Sequence, residues 1–374
     1  MAPVRKLRMA VIGAGRLGSF HAQKLAARQD VQLVAVVDPS PAARDRLASA
    51  CGAEALAHHK AVLGQIDAAV LAAPTFLHFA VGMDLLRAGV HCLIEKPLAA
   101  RLDEADQLVD LARQQGVVLQ VGHIERFNPA FEAALPLVRN PKYIEAVRAS
   151  PYTFRSTDIG AVLDLMIHDI ELVLALTHAS VRRVEALGLS VLGGHEDAAN
   201  ARIEFSNGCV ASLSVCRVGY EAVRRMHIWA PAGFASIDFA ARKVRLVRPS
   251  PEVLQRRLRL DNLSPEEIEY WKAHLAEQHL PNEEIQPDAA DALALELEDF
   301  IASIRQGRSP RVSGQHGRDA LAVAELVLEK ISSHVWEEGL VGPLAAPAPS
   351  ILPMPHWTET PAPVEAPPIR KAAG

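Results

Sequence analysis

The sequence predicts two parts in one chain: an α/β half built on a doubly wound parallel sheet, then an α+β half with an open, mostly antiparallel sheet. Three observations predict it. Up to about residue 122, short apolar runs alternate with amphipathic helical patterns, which calls for βαβ crossovers and a parallel sheet. From Val181 to Pro249, strand-like runs follow one another across turns, with no helical pattern between them. The first apolar run also leads directly into Gly13-Ala14-Gly15-Arg16-Leu17-Gly18, a loop that forces a tight turn before a helix.

Composition bounds the function classes. A chain of 374 residues has room for two domains, and 49% hydrophobic against 22% charged residues is the balance of a globular protein. A net charge of -5 argues against nucleic acid as the main partner, because phosphate binding normally shows as a basic surplus. Cys51, Cys92, Cys209 and Cys216 have no C-x-x-C spacing, so neither a zinc site nor a disulfide framework is expected, and no metal is assigned. Met1–Met9 is too poor in apolar residues for a signal peptide, and no run approaches the roughly 18 apolar residues of a membrane span. A cytoplasmic protein without membrane partners is the expectation.

In the first half, Met9–Ile12 reads as a strand, the glycine loop follows, and a helix runs to about Arg28. A second strand, Val31–Val37, ends on Asp38, twenty residues beyond Gly18. Each part of this unit suits a dinucleotide. Gly13 permits the turn, Gly15 lets the backbone approach a pyrophosphate, and Gly18 lets helix and strand pack closely. The helix N-terminus, with Arg16 and Leu17 in its first turn, offers N–H donors to phosphate oxygens. Asp38 can accept from both ribose hydroxyls and would repel a 2′-phosphate, which favours NAD over NADP. The alternation continues through Ala42–Cys51 (helix), Ala68–Ala72 (strand), His78–Ala88 (helix), Val90–Ile94 (strand), Leu102–Gln115 (helix) and Val117–Val121 (strand). Pro74, Thr75 and His78 stand where one strand ends and the next helix opens, and are candidates at the cofactor. Residues 1–122 are thus read as an NAD-binding Rossmann domain.

Residues 123–340 are read as the α+β domain for substrate binding and oligomerisation. A helix is expected over Pro129–Arg139, a strand over Ile144–Ser150, and an apolar helix over Val162–Leu176. Strands are expected at Val181–Val191, Ala201–Phe205, Cys209–Val218, Met226–Ala230, Ala235–Asp238 and Lys243–Pro249, with Asn207-Gly208 as a hairpin turn. Helices follow over Pro265–Gln278, Ala289–Gln306 and Arg318–Val335. Nine prolines fall among the last 32 residues, so 341–374 is expected to be a disordered tail.

The chemistry is expected at two places. Val90–Ile94 is cut off by Glu95-Lys96-Pro97, which sets Glu95 and Lys96 at the carboxyl edge of the sheet, where open α/β folds bind ligands. In the apolar helix, Asp164 and His168 are four apart and share a face, with Glu171 one step on. A carboxylate beside an imidazole sets its tautomer and makes it a general acid/base, and an amine at the strand end can exchange protons beside it. The same residues also admit a structural reading: a solvated lysine, and a histidine satisfied within the core. Arg126, Phe127 and Asn128 at the domain junction, and Arg155 and Ser156 in a later loop, are the candidate substrate contacts together with Lys96, Asp164 and His168.

Glu95-Lys96-Pro97 with Asp164-x-x-x-His168 resembles the Gfo/Idh/MocA oxidoreductases over about residues 7–335, including Ser313–Leu321. The resemblance implies catalysis by Lys96 and His168, support of His168 by Asp164, and a second-domain sheet whose free face mediates homodimer or homotetramer contacts. Gly122–Pro129 and Asp164–Ile170 look like the bacterial UDP-N-acetylglucosamine 3-dehydrogenase branch, which serves lipid A biosynthesis. Thr75 and Met166, where many relatives carry Asn and Gly, lean toward this nucleotide-sugar branch. The expectation is therefore an NAD-dependent enzyme that oxidises a secondary sugar hydroxyl to a ketone, with a nucleotide-sugar substrate and an aminotransferase acting downstream. A free inositol or hexose dehydrogenase is the alternative within the family. A non-catalytic NAD sensor or scaffold is the alternative outside its chemistry, and retention of Lys96 and His168 argues against it.

Overall fold

The first strand is apolar at nearly every step because both of its faces are covered. In the computed structural model, which describes residues 5–154, 159–192, 194–336 and 341–345, Met9, Ala10 and Val11 of β1 (Leu7–Ile12) have no exposed surface. Around it run α1 (Arg16–Ala26), β2 (Val31–Val37), α2 (Pro41–Cys51), β3 (Glu54–Leu56), β4 (Ala68–Leu71), α3 (His78–Arg87), β5 (His91–Glu95), α4 (Leu102–Gln115) and β6 (Leu119–Gly122). The sheet order is β3-β2-β1-β4-β5-β6 and every pairing is parallel. The strand order reverses between β1 and β4, so the carboxyl ends of those strands open a crevice there. The three-residue β3 at the sheet edge has no apolar run to announce it and is absent from the sequence reading.

The second half contains α5 (Pro129–Ala134), β7 (Tyr143–Ala149), a π-helical turn (Val162–Met166) running into α6 (Ile167–Thr177), and the strands β8 (Val181–Ser190), β9 (Ala198–Phe205), β10 (Val210–Cys216), β11 (Val223–Ala230), β12 (Gly233–Asp238) and β13 (Lys243–Val247). After them come α7 (Pro251–Leu254), α8 (Pro265–His274), β14 (Asn282–Ile285), α9 (Ala292–Gln306), α10 (Gly314–Ser333) and β15 (Leu344–Ala345). The nine strands are ordered β14-β13-β12-β11-β7-β10-β9-β8-β15, antiparallel except for β7 with β10 and β8 with β15. The Asn207-Gly208 turn joins β9 to β10 as expected. Gly208 takes φ +83° while Asn207 keeps a negative φ, so the loop is a type I turn closed by a glycine bulge rather than a two-residue primed turn.

One face of this sheet is covered by α6 and α10, which bury Ile167, Ile170, Val173, Ala324, Val327 and Ile331 against Ala146, Ala201, Leu213, Met226 and Ile228. The alternation of β7 and β11 places those residues inward. The chain then returns to the first half. Leu297, Phe300 and Ile301 of α9 pack with Met9, Val11, Val36 and Leu93, forming one of the helical layers on the parallel sheet. The cysteines are free, and Cys92 and Cys209 lie buried in strand regions. Among the described residues no helix is long and apolar enough to cross a membrane. Arg155, Ser156 and most of the proline-rich segment, from 346 onward, lie outside the described residues.

Candidate active site

The glycine loop has the shape that a dinucleotide needs. Gly13 sits at φ +103°, and a side chain there would meet the Ala72 carbonyl at 2.4 Å. At Gly18 an added Cβ would lie 1.8 Å from the Gly13 carbonyl oxygen, so only glycine lets α1 approach β1 this closely. Gly15 is the opposite case: nothing lies within 4 Å of an added Cβ, which leaves open space over the N-terminus of α1. That N-terminus carries no side-chain cap and no acidic residue in its first turn, so its N–H donors are not taken by the protein's own carboxylates. Arg16 and Leu17 are exposed in the same turn. Asp38 stands beside it, one carboxylate oxygen accepting from Ala14 N–H at 2.7 Å and the other from Ser40 N–H at 2.8 Å. These bonds aim the carboxylate across the loop and leave lone pairs for a ribose diol. The residues present therefore fit NAD.

Pro74 and Thr75 open a single 3₁₀ turn (Thr75–Leu77) at the end of β4, beside this crevice. His78 does not share their position. It is buried, and its two ring nitrogens lie 2.8 Å from the Pro97 carbonyl and 2.9 Å from the Ala73 carbonyl. It ties the two strand-end loops together instead of presenting a nitrogen to the cofactor.

Lys96 follows β5 at the same edge, and the Lys96–Pro97 peptide is cis. Its amine donates to the Asp164 carbonyl at 2.6 Å and to an Asp164 carboxylate oxygen at 3.2 Å. This contact joins the parallel sheet to the π-helical turn of the second half. It also corrects the expected role of Asp164: its carboxylate serves Lys96, and it does not hold His168. An i, i+4 pairing needs a regular helix, whereas a π turn places more residues in each turn and re-aims the side chains before α6 begins. Glu171 likewise pairs with Arg126 at 2.6 Å, not with the imidazole.

Glu95 points away from Lys96, as neighbours along a strand do. Its carboxylate lies 2.7 Å from His21 Nε2 and is buried, which removes it from the candidate cofactor contacts. Behind it lies the fully buried Glu296 of α9, with both oxygens unpartnered; burial first, then Glu95 and Asp299, push its carboxyl well above its usual range. His21, Glu95 and Glu296 have donor atoms within 4.8 Å of one another. The 2.7 Å spacing is that of a hydrogen bond, shorter than the ~3.3 Å between two ligands of a tetrahedral zinc, so the cluster fits a shared proton better than an ion.

The junction residues divide. Arg126 reaches the interior and holds Glu171, whose carboxyl burial pushes up to about 7 against the pull of Arg126. Phe127 has no exposed surface, and Arg311 covers its ring at 4.6 Å, so it is core and not a substrate contact. Asn128 is also committed, capping α5 through Ala130 N–H and donating to Glu125 at 3.0 Å.

Several charged residues at the site are absent from the sequence reading. Arg148 of β7 is buried and donates to Asp169 at 2.7 and 3.1 Å and to Glu125 at 2.9 Å. Burial opposes its charge, but Asp169 and Glu125 outweigh burial and hold the guanidinium above its ordinary range. Arg224 of β11 stands directly opposite Arg148 in the sheet, yet is half exposed and reaches only Glu125, at 3.9 Å. The signal for Arg148 was available: it falls on the inward step of a strand with Ile144 and Ala146, and an inward arginine demands carboxylates.

His168 lies in the middle of these charges. Burial, and then Lys96, Arg148, His123 and Arg224, push its imidazole well below the usual range, so it is neutral at pH 7. His123, which follows β6, is buried edge-on to it with ring centres 6.1 Å apart. Burial, then Lys96, Arg126 and His316, push His123 down to about 3. An amine donor, a neutral imidazole and a dinucleotide crevice at one sheet edge can take a hydroxyl proton while a hydride leaves.

Two family models match parts of the chain: an oxidoreductase family with an NAD-binding Rossmann fold over residues 7–123, and a GFO/IDH/MocA C-terminal domain over residues 137–235. The chain belongs to the Gfo/Idh/MocA oxidoreductase family. Within this family it is 36% identical over 319 residues to the UDP-N-acetylglucosamine 3-dehydrogenase of Acidithiobacillus ferrooxidans, spanning 85% of this chain and 95% of that relative. A solved structure of that enzyme matches with a TM-score of 0.76 at 35% identity, covering 87% of this chain and 97% of the other. The inositol 2-dehydrogenase of Rhizobium meliloti is 24% identical over 345 residues, 87% of this chain and 97% of the relative. As a Gfo/Idh/MocA member, the chain is an NAD-binding oxidoreductase with the two-sheet architecture of its family.

Proposed function

We propose that this oxidoreductase uses NAD to oxidise the 3-hydroxyl of UDP-N-acetylglucosamine to a ketone. The observation that carries the substrate is the 36% identity to an enzyme of that activity over 95% of its length. The contact between Lys96 and Asp164 beside His168 supports alcohol oxidation at this edge.

Gly13, Gly15, Gly18, Arg16, Leu17, Asp38, Pro74 and Thr75 would hold NAD, which supplies the hydride acceptor when bound. His168, neutral at pH 7, takes the hydroxyl proton. Lys96, held by two oxygens of Asp164, donates its remaining N–H to the substrate oxygen as that oxygen gains charge. Asp164 positions the amine and Pro97 follows it as a stiff turn. Arg224 is the least saturated of the nearby cations and is the candidate for the diphosphate, with Arg126 beside the sugar.

The domains divide the work in the same way: residues 1–122, completed by α9, for NAD, and the rest of 123–340 for substrate and assembly; the tail expected over 341–374 starts later, because Leu344 and Ala345 pair with β8. The free face of the second sheet, where Trp229 packs at a tilt against Tyr143 and Phe234, is the surface for a homodimer or homotetramer. A 3-keto nucleotide sugar would pass to an aminotransferase, and the reaction belongs in the cytoplasm, where NAD and UDP-sugars are held.

The test is NADH formation followed at 340 nm with a substrate panel. UDP-N-acetylglucosamine should give turnover at least 100-fold above myo-inositol and free hexoses. Preference for myo-inositol would assign the enzyme to the inositol branch. Tight NAD binding with no turnover on any sugar would favour the sensor alternative.

A further inference from the structure

Three ring nitrogens meet at the floor of the site with nothing bonded to them. His168 Nδ1 and both nitrogens of His123 are buried without a hydrogen-bond partner. A buried imidazole nitrogen left unpaired is unfavourable, so each of these atoms needs a partner when the enzyme is at work. The expected partner of His168, Asp164, is engaged by Lys96. The residue that sets the His168 tautomer must therefore be sought elsewhere, and His123 is the polar side chain that faces it.

The distance decides how the two can communicate. Their ring centres are 6.1 Å apart at an interplanar angle of 87°. A ring nitrogen lies about 1 Å from its ring centre, so no facing pair can be closer than about 4 Å, which is too far for a direct hydrogen bond and leaves a bridging water as the link. His123 is carried there by β6: its N–H bonds back to the Val121 carbonyl at 2.8 Å, which turns the chain sharply at the strand end. The 3₁₀ turn that follows (Ile124–Phe127) is anchored by the buried Phe127.

We propose that His123 is a positioning residue that fixes the tautomer of His168 through a single bridging water. The water accepts from Nδ1–H of His168 and donates to a nitrogen of His123, which leaves the lone pair of His168 on Nε2 for the substrate hydroxyl. This rests on His168 being the group that meets that hydroxyl. The role needs His123 neutral, as an acceptor. The charged and titratable groups that face the pair are Lys96 from the β5 turn, Arg126 from the 3₁₀ turn, Arg148 from β7, Arg224 from β11 and His316 from α10. Lys96, Arg126 and Arg148 are themselves paired with Asp164, with Glu171, and with Glu125 and Asp169; burial first, and then the cations, keep both rings uncharged.

The test uses the full-length enzyme with histidines labelled with ¹⁵N. In the wild type with NAD bound, His168 should show one tautomer, protonated on Nδ1. His123→Phe should mix the two tautomers and lower kcat about 10- to 100-fold while leaving the KM for NAD within twofold. His123→Asn and His123→Gln keep a polar group at the water and should recover most of the lost kcat; they also carry the test if the phenylalanine variant fails to fold. A single unchanged His168 tautomer or a wild-type kcat in His123→Phe, or no recovery of kcat in His123→Asn and His123→Gln, would overturn the proposal. The spectroscopic arm needs no substrate. If the proposed sugar is wrong, wild-type turnover fails while the tautomer still reports on His123.

Discussion

Arg148→Met isolates the buried charge chain at the base of the site. The substitution keeps an unbranched apolar stem and removes three hydrogen bonds: two to Asp169, at 2.7 and 3.1 Å, and one to Glu125, at 2.9 Å. Both carboxylates are buried, and removing one member of such a group typically costs about 3–5 kcal/mol because the others lose their counter-charge. Loss of the guanidinium over the Phe239 ring, 5.9 Å away, adds about 0.5–1 kcal/mol. With ~4 kcal/mol lost and about 2–4 °C per kcal/mol, the Tm should fall by roughly 8–16 °C near pH 8. The pH dependence has a definite sign. Without Arg148, Glu125 and Asp169 are buried carboxyls whose folded pKa lies above the unfolded value, so the native state binds their protons more tightly. Their contribution is favourable below the unfolded pKa and is lost as pH rises through the folded one. The deficit should therefore shrink between pH 8 and pH 5.5, and adding Glu125→Gln and Asp169→Asn should recover half or more of the Tm. Scanning fluorimetry across that range is the assay. A deficit under 1 kcal/mol, or one that grows on acidification, would refute the account.

Three further outcomes follow from the nucleotide and proton-transfer sites. Lys96→Ala should lower kcat by about 10²–10⁴ while the Kd for NAD, measured by calorimetry, stays within a few-fold. Full activity would remove Lys96 from the chemistry. Gly15→Leu should leave the Tm of the free protein within about 1 °C, since open space lies above it, and weaken NAD at least 10-fold; Gly18→Ala should unfold the protein at markedly lower temperature, because its Cβ meets the Gly13 carbonyl. Equal effects of the two on the free protein would contradict the distinction. Asp38→Ser should weaken NAD by about 10- to 100-fold, the worth of a charged hydrogen bond, and narrow the preference over NADP in paired KM measurements. A wild type that already prefers NADP would overturn the role of that carboxylate.

The parallel sheet was legible because its strands are buried on both faces and announce themselves as apolar runs, and because the glycine loop and Asp38 fix its start. The second sheet was legible from turns such as Asn207-Gly208. What escaped were elements and pairings decided by distant partners. Asn282–Ile285 is polar and becomes a strand only because β13 offers it an edge. Asp164 shares a helical register with His168, yet the lysine arriving from 68 residues away takes its carboxylate. Phe127 and Asn128 look like surface recognition groups in a motif, and burial shows them holding the junction in place. His123 was visible within the same motif, but only the fold shows that it faces His168.

The return of α9 to the first sheet has a consequence for how the molecule is made. Leu297, Phe300 and Ile301 complete the packing beneath Met9, Val11 and Leu93, and Glu296 lies beside Glu95. When Gly122 leaves the ribosome, every strand of the parallel sheet exists, but one of its covering helices has yet to be synthesised. At about 5–20 residues per second, that helix follows on the order of ten to thirty seconds later. For that interval the nascent nucleotide half exposes an apolar face, so it is a natural client for a chaperone. A fragment ending near residue 290 should remain in that unfinished state.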